Sequence, residues 1–259
     1  SDACSRSAVF QFRRFPDYRP GVMLQHASSL LVVGFIVLPV LVAVALLAIV
    51  WRAIGEAGYP RRRARALQIG LLLGAVAWMV LTLLVAAGGL MRQFDRQPPP
   101  MLLLAIAVFA LAGWLAFSRI GDAVVHHASW LALVGLQTFR LPLELLMHRA
   151  YVEGVMPVQM SYSGRNFDIV TGATAVALAI ALATTAVPRW VIAVWNVSGT
   201  VLLANILAIA IASMPMFHLF GVDRLNVWVA EPPFVWLPSV LVLTALAGHL
   251  LIFRKLRAA

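Results

Sequence analysis

The sequence holds a single cysteine, Cys4, and a single lysine, Lys255. One thiol permits neither an intrachain disulfide nor a Cys-ligated metal site, and Cys4 stands in a polar leader, away from any apolar segment. Lys255 lies just beyond the last apolar run. A retinal-type Schiff base needs a lysine inside a helix, so that chemistry is excluded. Charge is scarce as well, at 12% of residues against a globular norm of roughly a quarter. There is no G-x-x-x-x-G-K-[ST], no G-x-G-x-x-G opening a helix, no G-x-S-x-G and no H-E-x-x-H, which removes nucleotide-driven work and the best-marked hydrolase and zinc-protease sites.

What is present is apolar. Of 259 residues, 62% are hydrophobic, and the mean hydropathy is +0.92. A soluble domain of this size has too little interior to hide that much apolar surface, and a disordered chain needs the opposite composition. An integral membrane protein remains. The net charge of +10 does not point to nucleic acid, because the arginines sit at the ends of apolar runs, as loop charges do in membrane proteins. The partners expected are the lipid bilayer and other membrane subunits, with no nucleic acid.

Residues 1–29 read as a polar, Arg-rich leader and 30–259 as one domain. The first 22 residues lack the apolar core of a signal peptide, and no function is assigned to them. Six runs are long enough, or nearly so, to cross a core of about 30 Å. They are Leu30–Trp51, Ile69–Met91, Met101–Ser118, Ile169–Val187, Trp190–Phe217 and Phe234–Phe253. A seventh segment, from Asp122 to Glu153, is apolar overall but carries Gln137, Arg140, Glu144 and His148. As one straight helix it would reach about 48 Å, so it must tilt or bend, and Pro142 supplies the bend by leaving the Thr138 carbonyl without its donor. The expectation is all-α: a polytopic bundle of seven transmembrane helices, with this segment as the fourth.

Ten cations fall on the face that carries the loop after the first span and nine on the other. Four of those nine belong to the leader. Setting them aside favours the N-terminus outside and the C-terminus in the cytoplasm. Gly70 and Gly74, and Ala175, Ala179 and Ala183, are spaced for close helix contact, and Asn196, Ser198, Thr200 and Asn205 for interhelical hydrogen bonds. Trp51, Trp190, Trp228 and Trp236 suit an interfacial belt.

The fourth segment is the most informative. At about 100° per residue, Gln137, Arg140, Glu144 and His148 fall within an arc of roughly 80°, joined by His126, Trp130 and Tyr151. A charge at mid-bilayer costs at least about 2.5–3.5 kcal/mol, so this stripe faces the bundle interior or a wet cavity. Arg140 and Glu144, four apart, are placed to pair. Arg140 is also placed to attract an anionic group, and Glu144 and His148 to carry a proton or cation.

Six histidines are present: His26, His126, His127, His148, His218 and His249. No cofactor is called for. A haem or metal held by His126 and His249, or by His148 and His218, is the alternative. In the loop after the fourth span, Gly154 and Pro157 end the helix, Ser163-Gly164 marks a turn, and Asp168 opens the next helix. Arg165 is placed to pair with Asp168 or Glu153, or to gate the mouth of a cavity.

The run EGVMPVQMSYSGRNFDIVTG from Glu153, preceded by FRLPLELLMH and followed by PFVWLPSVLV, resembles a group of bacterial multi-pass membrane proteins of unknown function. The resemblance covers the C-terminal half. It implies a bacterial inner-membrane protein and brings no activity, cofactor or site residue. The leading functional reading is a polar intramembrane cavity for a small ligand, ion or proton, used in transport or sensing and built from Gln137, Arg140, Glu144, His148 and Arg165. The alternatives are a structural or assembly subunit with a buried ion pair, and an intramembrane enzyme using Glu144 and His148.

Overall fold

The computed structural model describes residues 27–258. Cys4, His26 and nearly all of the leader lie outside them. The described residues contain no strand. The chain is an all-α polytopic bundle whose helices are α1 (Ser29–Glu56), α2 (Arg61–Ala87), α3 (Pro100–Phe117), α4 (Arg119–His127), α5 (Trp130–Val152), α6 (Ile169–Thr184), α7 (Arg189–Ala212) and α8 (Leu237–Ala258). Six of these, α1, α2, α3, α5, α7 and α8, are long and apolar enough to cross a membrane. The seventh expected span, α6, is apolar but has 16 residues, about 24 Å of helix.

Local chemistry sets the helix starts. Ser28, Ser118 and Ser129 each accept a backbone N–H of the turn they precede and so cap α1, α4 and α5. Pro60, Pro99 and Pro188 precede α2, α3 and α7, where a missing N–H costs nothing. α8 opens with a π-helical stretch over Leu237–Val242.

The polar segment departs from its reading as one helix. Ala128 is extended and Ser129 restarts the chain, so 119–152 is two helices, and the stripe does not continue back to His126. That residue lies at the end of α4 and is exposed. Within α5 the expected distortion is present as a 3-10 turn, Gln137–Phe139, one turn before Pro142.

α8 is the hub, packing on α3, α4, α5 and α7, while α1 packs on α2, α4 and α5, and α6 on α5 and α7. The span window of α8 is 67% buried and that of α2 only 11%, so α2 is the most peripheral helix. Three packing expectations change accordingly. Gly70 and Gly74 are exposed, with nothing within 4 Å of a Cβ at either position, because α2 meets its neighbours through other residues. Along α6, Ala175 is fully buried while Ala183 is exposed. Trp228 is fully buried in a cluster with Phe35 and Phe234. Trp51 and Trp190 are exposed near helix ends, as an interfacial belt requires.

Candidate functional site

The 3-10 turn in α5 sends Gln137, Arg140 and Glu144 into the bundle, where all three are buried. Glycines on the facing helices make room for them. A Cβ on Gly172 of α6 would overlap the backbone of Arg140 and Leu141, and one on Gly248 of α8 would overlap the Gln137 amide. Only glycine allows so close an approach. One turn before Gly172, Asp168 therefore comes within reach of Arg140.

Arg140 Nε donates to Asp168 Oδ2 at 2.7 Å, and Nη2 forms an ion pair with the same oxygen. Nη1 lies 2.7 Å from His249 Nε2 on α8. A guanidinium only donates, so Nε2 accepts and the ring proton sits on Nδ1, 2.8 Å from Asn196 Oδ1 on α7. The Asn196 amide donates in turn to the His249 carbonyl at 3.2 Å. One chain of hydrogen bonds thus ties α5, α6, α7 and α8 together.

The expected Arg140–Glu144 pair does not form. Asp168 takes the arginine, because the start of α6 is pressed against Arg140 while Glu144 lies a full turn further along α5. Glu144 is held by Asn166, whose amide donates to its two carboxylate oxygens at 3.0 and 2.8 Å and to the Met160 carbonyl at 3.0 Å. Asn166 Oδ1 accepts the Asp168 N–H at 3.0 Å. This fully buried asparagine therefore links the two carboxylates, a role its loop position did not reveal.

The remaining expected site residues stand apart. Gln137 donates to the Ala245 carbonyl at 3.0 Å. His148, half-buried, has Nδ1 at 3.1 Å from Ser161 Oγ and 3.2 Å from Ser163 Oγ, and its ring stacks on Tyr162 with centroids 4.3 Å apart. Its partners are loop hydroxyls and not Glu144. Arg165 is exposed and lies 5.3 Å above the Phe220 ring. Its expected partners are engaged elsewhere, Asp168 by Arg140 and Glu153 by Arg149.

Arg140, Glu144 and Asp168 form one wall of a cavity of about 90 Å³ between α3, α5, α7 and α8, large enough for several waters or a small organic group. Most of the lining is apolar, with Met101, Phe109, Met147, Leu207 and Met214 among it. Asn226, from the loop after α7, adds a second polar point. Asp168 Oδ1 and Asn226 Oδ1 are buried without a hydrogen-bond partner. All three nitrogens of Arg140 rest against protein side chains. The cavity is therefore largely apolar, with a few side-chain oxygens at its wall, where the sequence suggested a polar cavity for a small ligand, ion or proton.

Among the described residues no group of three or more His, Cys, Asp or Glu is placed to hold a metal. His249 is buried beside Arg140, apart from the exposed His126 and His127 with which its depth in the sequence grouped it. His218 bonds the Pro215 carbonyl, and His148 bonds the two serines. No family model matches this sequence, and no curated protein or solved structure matches it.

Proposed function

We propose that the protein binds a small, largely apolar molecule carrying a hydrogen-bond donor, an amine or a hydroxyl, in the cavity walled by Arg140, Glu144 and Asp168, and that it transports or senses that molecule. One observation carries this reading. The cavity pairs an apolar lining with buried oxygens on Asp168 and Asn226 that lack a donor. A buried acceptor left unpaired costs about 1–3 kcal/mol, and a ligand N–H or O–H removes that cost. Arg140 sets the position of the Asp168 carboxylate, and Asn166 that of Glu144.

The test is thermal unfolding of the purified protein with propylamine, 1-propanol and propionate, which suit a cavity of about 90 Å³. The amine and the alcohol raise Tm and propionate does not, and Glu144→Gln lowers the amine's shift more than the alcohol's. Equal shifts from all three, or none, overturn the reading.

A second reading is a scaffold subunit, favoured by the Arg140–Asp168–His249–Asn196 chain, which pairs the buried charges with each other across four helices. Under it, no probe shifts Tm.

We place the protein in a bacterial inner membrane on the resemblance of its C-terminal half, with its C-terminus in the cytoplasm on the cation distribution. In a Cys4→Ser background, Arg96→Cys is then labelled by an impermeant maleimide in intact cells, and Arg63→Cys only after the membrane is opened.

A further inference from the structure

Charge does not balance around the Arg140 cavity. Three ionisable side chains wall it, Arg140, Glu144 and Asp168, and all are buried. The one guanidinium is committed to Asp168, which takes both Nε and Nη2. Its remaining nitrogen rests on His249 Nε2, and an imidazole that accepts there is neutral. With both carboxyls ionised, the cluster would hold one more negative charge than positive, at a depth where an uncompensated charge is costly.

No neighbouring element supplies the missing charge. α3, α7 and α8 line the cavity with apolar side chains alone. α1, which also packs on α5, has no charged residue from Ser29 to Trp51. The loop after α7 contributes Asn226, which is neutral. Further along α5, His148 bonds Ser161 and Ser163, and Arg149 pairs with Glu153. Arg165 lies over Phe220.

Glu144 bears the excess. Among the described residues its carboxyl has one hydrogen-bond partner, Asn166 Nδ2, at 3.0 and 2.8 Å from the two oxygens. That nitrogen also donates to the Met160 carbonyl. An amide nitrogen has two hydrogens, so one is left for both oxygens of Glu144. Beside it, Asp168 Oδ1 and Asn226 Oδ1 are buried without a partner and belong to the same cavity wall. The site therefore has room for one positive charge and acceptors for its hydrogens.

We propose that Glu144 exchanges a proton for an alkylammonium ion. In the empty cavity Glu144 is a carboxylic acid, and Arg140 and Asp168 balance each other. When the ammonium enters, the Glu144 O–H bond breaks, the proton passes to water, and the carboxylate faces the cation. The unpartnered oxygens of Asp168 and Asn226 are acceptors for the ammonium N–H groups. Both states are neutral overall, so neither strands a charge in the bundle. An alcohol brings no charge and leaves the proton in place. The exchange rests on the ligand reading of this cavity and names the amine as the ligand whose uptake moves a proton.

The experiment is infrared difference spectroscopy of the purified full chain at neutral pH, compared with Glu144→Gln. Glutamine matches the neutral acid in size and charge. The unaltered protein shows a carboxylic-acid C=O band that Glu144→Gln lacks. Propylammonium removes the band and releases about one proton per protein into weakly buffered solution, and 1-propanol does neither. If the variant does not fold, isotopically labelled glutamate shifts the band and assigns it in the unaltered chain. Absence of an acid band from the ligand-free protein overturns the proposal. So does a band that survives propylammonium at concentrations that raise Tm. A Tm that neither propylammonium nor 1-propanol moves sinks the ligand reading and the exchange with it, whereas a raised Tm without proton release sinks the exchange alone.

Discussion

Asp168 Oδ2 accepts from Arg140 Nε at 2.7 Å, joining the start of α6 to the middle of α5. Both side chains are almost wholly enclosed. The charge that the sequence displayed on one helix is therefore balanced by a residue at the mouth of the next, and the stability of the bundle centre depends on that pair.

Removing one partner leaves the other charge buried alone. Asp168→Leu or Arg140→Met lowers stability by about 3–5 kcal/mol, read by unfolding in detergent. The double variant recovers most of that loss, because two apolar side chains of similar size leave no stranded charge. A double variant as unstable as the worse single one contradicts this account of the pair.

Asn166 supplies the donor for Glu144. Asn166→Ala strips it and costs about 1–3 kcal/mol. Asn166→Asp costs more, since it sets a third carboxylate against Glu144 and Asp168. If the aspartate variant is the more stable of the two, Asn166 does not act as the donor.

The contact between α5 and α6 depends on Gly172. Gly172→Ala forces the two backbones apart and destabilises by about 1–3 kcal/mol. Gly74→Ala meets open space and stays within about 0.5 kcal/mol of the parent. Thermal unfolding of the two variants side by side decides between a packing role and a generic glycine effect.

Outside the membrane, Glu153 fastens the start of α1 to the end of α5. Its Oε2 accepts the Ser28 N–H at 2.8 Å, and Oε1 pairs with Arg149. Burial pushes the carboxyl up, but the Ser28 bonds and Arg149 outweigh it and hold it below its ordinary 4.5. The folded state thus binds the proton less readily than the unfolded state. The contribution to stability is complete above the unfolded value and is lost as pH falls through the folded one. Unfolding midpoints from pH 7 down to 3 fall less steeply for Glu153→Gln than for the parent in the acidic range, with no difference in slope near neutrality.

Much of the fold was legible in the sequence. Runs of about twenty apolar residues have few alternatives to a membrane-spanning helix, since no water is there to satisfy an exposed backbone. Six of the seven expected spans are helices long and apolar enough to cross, and the remaining run forms the shorter apolar helix α6. The buried phase of Gln137, Arg140 and Glu144 also followed from sequence, because helical periodicity and the cost of charge in lipid act on one element at a time. The distortion before Pro142 was readable for the same reason, as a missing donor is a local fact.

What the sequence did not reveal depends on contacts between elements. Helix spacing offered Glu144 as the partner of Arg140, but the structure supplies Asp168, because Gly172 lets α6 press onto the α5 backbone. Asn166 reads as an ordinary loop residue, and its position between two carboxylates exists only once the loop folds back. Likewise His249, grouped by depth with His126, is the acceptor for Arg140 because α8 runs through the centre of the bundle. Sequence alone determined that this chain lives in the bilayer and which helix carries charge there. The tertiary structure decided how that charge is neutralised, and hence that the cavity beside it offers acceptors, since pairing at 2–3 Å is set by helix crossings that no single helix encodes.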